Sequence, residues 1–379
     1  MTLELPPPVR PANAQTWLDD TINEWARLDA TDLHIRSDGP GQELQIRARV
    51  DGRLRHAPPL EAEVSQLVLG LIKNRARFST VGSQLPEGGS FTANIDGQAW
   101  KVRAQLFQSF DGGQSIRIRI PHIGPLRTLE ELSFDATNAR HMRDLIQSPN
   151  GMTIIAGPMS EGKTTTAHAL LNELDTPHSS IITVEEPVER TMPNMLQLEV
   201  DERAGVTFAA LLPDLVRGDY DTLFLGEIRD RESAAAGIRQ AKVGRRILTT
   251  MHGKNNVTAL LRLMELAEDT PLSVLDAVQG VISQRLVPRL CIACLGIGCD
   301  ACGQSGYRGR LPIHELLVVT PELSEALMTN QPLSHVYGLA EETALSTFRN
   351  DAKRLVDAGL TTWDAVTPII GKGRLGNHS

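Results

Sequence analysis

Residues Gly157-Pro158-Met159-Ser160-Glu161-Gly162-Lys163-Thr164 place two glycines around four residues and follow them with Lys and Thr. That spacing suits a phosphate chain. Glycine lets successive backbone N–H groups turn toward an anion, Lys163 is long enough to reach the β and γ phosphates of ATP, and the Thr164 hydroxyl can ligate Mg²⁺. The helix-forming run from Thr165 to Leu174 would aim its positive end at the same anion, which puts Thr165 among the nucleotide-binding candidates. The plain alternative is a Gly-rich turn, against which the apolar run 152–156 before it and the helical run after it both argue. Glu161 sets a carboxylate inside this loop, and that is expected to weaken nucleotide binding unless the side chain turns to solvent.

Hydrolysis of a Mg-nucleotide also needs acid near the phosphates, to hold the metal through water and activate the attacking water. Asp221-Thr222-Leu223-Phe224-Leu225-Gly226-Glu227 reads as an apolar strand that delivers Glu227 at its C-terminal end, where open α/β sheets bind ligands. Glu227 is therefore the first candidate catalytic acid. A second acidic group, Glu185-Glu186-Pro187-Val188-Glu189, ends the strand before it, although an acidic strand end is commonly a solvated turn. His252 closes a further strand, Arg246 to Met251, where it could sense the γ-phosphate or be merely structural.

All four cysteines lie within twelve residues, as Cys291-x-x-Cys294 and Cys299-x-x-Cys302. Two such knuckles offer four thiolates to a tetrahedral Zn²⁺, and Gly296, Gly298 and Gly303 free the backbone to converge. Disulfides, disfavoured in a cytosolic protein, and idle reduced thiols are the other readings. The gap between the knuckles demands a tight loop. A closed four-sulfur site leaves no open ligand position, so the metal would be structural.

The elements that must position these residues follow from pattern. Among 379 residues, 41% hydrophobic and 22% charged, no apolar run reaches the roughly 18 residues of a membrane span, which excludes an integral helical membrane protein along with fibre and wholesale disorder. Met1 to Arg10 carries no secretory signal pattern, so a cytoplasmic location is expected. The net charge of −8 argues against a nucleic-acid partner. Of the 38 basic residues 31 are Arg, which fits either a GC-rich genome or bidentate phosphate contacts.

Prolines at 6, 7, 8 and 11 make residues 1–14 an extended arm. Residues 15–120 alternate helical spacing with strand pairs turning at Asp51-Gly52 and Asp96-Gly97, an N-terminal α+β domain. Pro and Gly in 121–127 mark a linker. From there the pattern becomes short apolar runs between helices, as a mostly parallel sheet requires, with strands at 152–156, 181–184, 223–225 and 246–250. We expect an ATPase core over 128–285, the tetracysteine element over 286–312, a helical part over 313–370 and a disordered tail over 371–379.

In order and wording these motifs resemble the secretion-superfamily ATPases, and within them the type II secretion and type IV pilus assembly motors, over about residues 15–366. Asp29-Ala30-Thr31-Asp32-Leu33-His34-Ile35 and Ile46-Arg47-Ala48-Arg49-Val50-Asp51-Gly52 resemble the N-terminal motifs of that family. Ile182 to Arg190 resembles its Asp box, Gly226-Glu227-Ile228-Arg229-Asp230 its Walker B signature and Thr250-Met251-His252 its His box. Gln284 to Cys291 and Cys302 to Arg310 look like the tetracysteine element of assembly and secretion motors, which retraction motors typically lack.

The resemblance implies an α/β fold with a RecA-like P-loop core, a smaller N-terminal α+β domain and a C-terminal zinc-binding and helical part. It implies a homohexamer that hydrolyses ATP with Mg²⁺, with Glu186, Glu189, Arg229 and His252 joining Glu227 in catalysis. Arginines of the N-terminal domain would reach the phosphates, the candidates being Arg103, Arg117 and Arg119. The implied partner is an inner-membrane platform protein, with an adaptor as a further partner and membrane association through such partners only. The chain departs from the family at Ser160-Glu161, at Glu186 and at Arg245, where a histidine is usual. Two other readings stay open: a nucleic-acid or conjugation-related P-loop motor, and a non-hydrolysing nucleotide switch within the same ring.

Overall fold

The computed structural model describes residues 14–39, 41–79, 85–121, 126–175, 177–267 and 269–371. The chain divides into two compact units, Met1–Pro125 and Leu126–Ser379. Residues 1–13 of the arm expected over 1–14, residues 122–125 of the expected linker and residues 372–379 of the expected tail lie outside the described residues.

In the first unit, helix α1 (Ala14–Arg27) precedes strands β1 (Ala30–Ser37), β2 (Leu44–Val50) and β3 (Arg53–His56). Helix α2 (Ala62–Arg75) and strands β4 (Glu87–Ile95), β5 (Gln98–Gln108) and β6 (Gln114–Arg119) follow. The strands form one antiparallel sheet in the order β3-β2-β1-β6-β5-β4. Asp51 and Gly52, like Asp96 and Gly97, all have positive φ, the geometry that lets a two-residue turn follow the twist of its strands. Strict alternation decides the faces. Leu33, Ile35, Ile46, Ala48, Val102, Ala104, Ile116 and Ile118 are buried with Leu18, Ile22 and Trp25 of α1. The arginines between them point the other way.

In the second unit, α3 (Ala136–Gln147), β7 (Gly151–Ala156), α4 (Lys163–Leu174), β8 (Ile181–Glu185), β9 (Leu196–Glu199) and α5 (Phe208–Arg217) come first. Then come β10 (Thr222–Leu225), α6 (Arg231–Lys242), β11 (Arg246–Met251), α7 (Asn256–Ala267), α8 (Pro271–Ala277) and β12 (Val278–Leu290). The unit ends with β13 (Tyr307–Val318), α9 (Pro321–Met328), α10 (Leu333–Thr343), β14 (Ala344–Ser346), α11 (Phe348–Asp357) and α12 (Trp363–Ile370). Its sheet runs β14-β13-β12-β7-β11-β10-β8-β9, parallel from β12 to β9 and antiparallel at β13 and β14.

Strands β7, β8 and β10 are buried along their whole length, as central strands covered on both faces must be. One apolar core joins Met152, Ile154, Leu223 and Leu225 to α6, α7 and α8, and another joins Ile155, Phe224 and Leu248 to α3 and α4. The α/β expectation holds, and all four strands read from the sequence are present. Because these strands are parallel, their C-terminal ends gather on one edge.

Two expected boundaries fall inside strands. Position 285/286 lies within β12, and residues 313–318 continue β13 rather than opening a helical part. The four cysteines occupy the connection between β12 and β13, two long strands paired from Gly280↔Val318 to Leu290↔Tyr307. The tetracysteine element is thus the tip of a hairpin rooted in the main sheet. Short-range pattern misses this because residues 280–285 of β12 and 311–314 of β13 are buried without a break and show no alternation. Among the described residues no helix is long and apolar enough to cross a membrane.

Candidate functional site

The phosphate loop leaves β7 at Ala156 and enters α4 at Lys163. Its two glycines are needed for different reasons. At Gly157 a Cβ would meet the Gln284 carbonyl oxygen at 2.8 Å, and at Gly162 the backbone is left-handed with φ 75°. Lys163 is buried, and its Nζ donates to the carbonyls of Gly157 (2.9 Å) and Pro158 (2.8 Å), so the ammonium is curled back into the loop. Pro158, Met159 and Ser160 are exposed, while Thr164 and Thr165 are half-buried on the first turn of α4.

Glu161 does not turn freely to solvent. Its Oε2 accepts the Leu286 N–H at 2.5 Å, and its own carbonyl accepts from Gln284 Nε2 at 2.5 Å. Burial pushes the Glu161 carboxyl above the usual carboxylate range, against the Leu286 hydrogen bond and the charges of Arg285, Arg310 and Lys163. The carboxylate expected to disturb a phosphate is spent on β12.

At the neighbouring strand ends four of the sequence candidates converge. Glu227 Oε1 lies 2.9 Å from His252 Nε2, and His252 Nδ1 faces the Gly157 carbonyl at 3.4 Å. A carboxylate only accepts, so His252 donates from Nε2. Arg229 donates to Glu227 and, at 2.8 Å, to Glu186. Burial works to lower the Arg229 pKa, but the Glu227 and Glu186 carboxylates outweigh it and raise it, so the guanidinium stays charged. Ile228 N–H donates to Thr250 O at 2.9 Å, and Thr250 Oγ1 to Gly226 O at 2.7 Å, fixing the turn after β10 against β11. Glu189 is half-buried on the loop after β8 and makes no hydrogen bond or ion pair with this group among the described residues.

Two residues that the sequence places within motifs, without a role of their own in the site, hold it from beneath. Glu185, the last residue of β8, is 3% exposed and meets His168 of α4 at 3.4 Å, Thr183 at 2.7 Å and Gln197 at 3.1 Å. Burial alone would raise its pKa, yet the bonds from His168, Thr183 and Gln197 bring it below the ordinary value. The pair ties the phosphate-loop helix to the strand that ends immediately before Glu186. Gln284, 1% exposed, is a hub: besides Glu161 its amide meets Thr166 Oγ1 at 2.6 Å and His314 Nε2 at 3.2 Å. The signal was available, since a Gln inside an apolar strand is costly unless every polar atom is paired.

Arg245, the departure in the His box, stands at the opposite end of β11 from His252. It donates to the carbonyls of Tyr220 and, at 3.0 Å, Gly218, and lies 4.7 Å over the Tyr220 ring. It braces the turn into β10 and touches none of the catalytic candidates.

In the first unit, Arg103, Arg117 and Arg119 share one face of the sheet, Arg103 paired in register with Arg119. Arg119 Nε reaches Asp32 at 3.1 Å, and Arg117 lies 5.3 Å over the Phe107 ring. His34, on the same face, has its pKa lowered by burial first and then by Arg117 and Arg49.

The four cysteine sulfurs lie within 4.8 Å of one another, with Cys291 and Cys302 buried. Three Sγ–Sγ distances are 3.9, 3.8 and 3.8 Å. A tetrahedron with Zn–S of about 2.3 Å has edges of roughly 3.8 Å. Backbone N–H groups of Gly298 and Cys299 point at the Cys294 and Cys302 sulfurs, each at 3.2 Å, which suits thiolates. Left-handed residues Leu295, Gly296, Gly298 and Gly303 turn the short loop. The donor set fits a structural Zn²⁺ held by Cys291, Cys294, Cys299 and Cys302.

Residues 11–368 match the family described as Type II/IV secretion system protein. A type II secretion system protein, HxcR, of Pseudomonas aeruginosa is 31% identical over 92% of this chain and 75% of its own length. The type IV pilus assembly ATPase PilB of Thermus thermophilus is 29% identical over 96% of this chain and 44% of its own. Two solved structures share the fold. The pilus retraction motor PilT with bound ADP has a TM-score of 0.65 at 22% identity, over 93% of this chain and 96% of its own. The ATPase DotB of Legionella pneumophila has a TM-score of 0.72 at 20% identity, over 97% and 98%. With a phosphate loop, a converging Glu, His and Arg group and a match along nearly its whole length, the chain belongs to the type II/IV secretion system protein family.

Proposed function

We propose that the protein is a motor ATPase which hydrolyses Mg-ATP to drive assembly of a type IV pilus or of a type II secretion pseudopilus. The observation that carries this reading is the convergence of Glu227, His252 and Arg229 beside the Gly157 end of the phosphate loop. Gly157 to Thr165 hold the phosphates, Lys163 leaves its two carbonyl partners for the β and γ oxygens, and Thr164 supplies a hydroxyl to Mg²⁺. Glu227 positions and deprotonates the attacking water. Arg229 and His252 fix that carboxylate, Glu186 fixes Arg229, and Glu189 enters once nucleotide draws its loop inward.

Arg103, Arg117 and Arg119 present a cationic face that would neutralise phosphate charge, the use that best accounts for arginine on that side of the sheet. The working form is a homohexamer at the cytoplasmic side of an inner membrane. It pushes on a membrane platform protein, with an adaptor as a further partner, and zinc holds the hairpin tip. The domain scheme is an N-terminal α+β module, an ATPase core, the zinc hairpin and C-terminal helices. Arg245 lies away from the catalytic group, which removes one motive for a non-hydrolysing switch.

Steady-state hydrolysis by zinc-loaded wild type, Lys163→Ala and Glu227→Gln tests the reading. Phosphate release by wild type at least about 10²-fold above both variants is expected. Equal rates in all three would overturn it.

A further inference from the structure

We propose that Glu161 links the two ligand sites energetically, by latching the phosphate loop to the strand whose tip the metal holds, so that nucleotide and metal each strengthen the binding of the other. This inference rests on reading residues 157–164 as a nucleotide site.

Strand β12 is hydrogen-bonded to β7 only as far as Ser283↔Ala156. Beyond that point β7 has turned into the phosphate loop, while β12 runs on to Leu290. The N–H groups on that side of β12 have lost their ladder partner, and an unpaired strand N–H is costly to leave without an acceptor. Glu161 supplies one to Leu286 at 2.5 Å, and Gln284, two residues earlier on the same strand, grips the Glu161 carbonyl at 2.5 Å. One loop residue is therefore held twice, by side chain and by main chain. Glu161 is half-buried, so the contact is only partly open to water.

The outer half of β12 is held along its length by β13 and by the core around Val287, with Thr361 Oγ1 donating to Pro288 O at 2.7 Å, and at its far end by the cysteines. Leu290 pairs with Tyr307, Cys291 N–H donates to Gly306 O at 2.9 Å, and the next turns carry the four sulfurs. Zn²⁺ stitches these strand ends together across the loop. Without it the tip beyond Leu290 is held by a few backbone bonds, and the loosening reaches the end of β12, from which the strand carries it back to Leu286, Glu161 and the phosphate loop. Binding a phosphate chain then has to pay the ordering of both, which is a coupling free energy shared by the two ligands.

Reciprocity supplies the test. Zinc affinity of the holoprotein is measured by competition with a chelator of known affinity, with and without saturating Mg-ADP, for wild type, Glu161→Ala, Glu161→Ser and Glu161→Gln. Calorimetry records ADP binding in parallel. We expect ADP to tighten zinc binding about tenfold in wild type and less than twofold in the Ala and Ser variants, either of which serves if the other fails to fold. Gln keeps an acceptor oxygen for the Leu286 N–H and should retain the enhancement. Equal enhancement in wild type and the shortened variants, or none in a wild type that binds ADP, would overturn the link. A wild type that binds no ADP would overturn the nucleotide site itself.

Discussion

His252 Nε2 stands 2.9 Å from Glu227 Oε1, joining the end of β11 to the end of β10 directly beside the first residue of the phosphate loop. Arg229 grips the same carboxylate from the other side. A group so held has its orientation fixed before nucleotide arrives, which is what a water-activating carboxylate requires. Glu227→Gln should keep nucleotide affinity within about threefold and lower kcat by about 10²-fold or more. His252→Ala removes only one of the two supports, so a smaller loss of about tenfold is expected. Single-turnover hydrolysis with calorimetric affinities separates the two effects, and a His252 variant worse than the Glu227 variant would reverse the assigned roles.

Arg245 fills the place of a histidine in the family motif, but its partners are the carbonyls of Gly218 and Tyr220 at the far end of the sheet. Arg245→Ala leaves two carbonyls unpaired and uncovers a face of the buried Tyr220 ring. We expect about 1–3 kcal/mol of destabilisation, the usual loss for a charged hydrogen bond in a part-buried place. Thermal unfolding should show it while ADP affinity stays within twofold. A variant with wild-type Tm and weakened ADP binding would mean that Arg245 acts on the nucleotide.

The phosphate loop, the strand ends with Glu227 and His252, and the cysteine loop were legible because each is local: a few residues of fixed type at fixed spacing. The two positive-φ turns at Asp51-Gly52 and Asp96-Gly97 were legible for the same reason. What escaped is non-local. Gln284 lies 118 positions from Thr166 and 123 from Glu161, and only the pairing of β12 beside β7 brings them together. The Glu185–His168 pair is likewise made by two elements meeting, though a Glu at the end of an otherwise apolar strand hinted that it would need a partner. The boundaries at 285 and 313 fall within strands because the continuously buried stretches 280–285 and 311–314 have no period to read.

The four sulfurs predict one bound Zn²⁺ per chain. Replacing a single ligand, as in Cys302→Ser, should leave less than about a tenth of the zinc bound at micromolar protein, since three sulfurs close the site poorly. Exposed Ile292, Leu295 and Ile297 on the same loop have no apolar core to hold them if the metal is lost. Limited proteolysis of the variant should therefore cut first between residues 291 and 303. Full zinc content in Cys302→Ser would show that the cysteines are not the ligands.

The last prediction concerns a buried histidine behind the phosphate loop. His314 is fully buried, stacked 3.8 Å from the Phe134 ring, with Nε2 toward Gln284 and Nδ1 3.4 Å from Asp351. Burial lowers its pKa most, Arg354 lowers it further, and Asp351 opposes them without winning. A base whose folded pKa lies below its unfolded value of about 6.5 is taken up with a proton more readily by the unfolded chain. Stability from this group is full above that value and falls as pH drops below it. Asp351, with its pKa lowered by His314 and Arg354 against the cost of burial, adds a second loss only below about 3.8. Between pH 7.5 and 5.5 the Tm of wild type should therefore fall more steeply than that of His314→Gln, which keeps a polar group for Gln284 but cannot titrate. Parallel Tm profiles for the two proteins over that range would show that His314 takes no part in the pH dependence.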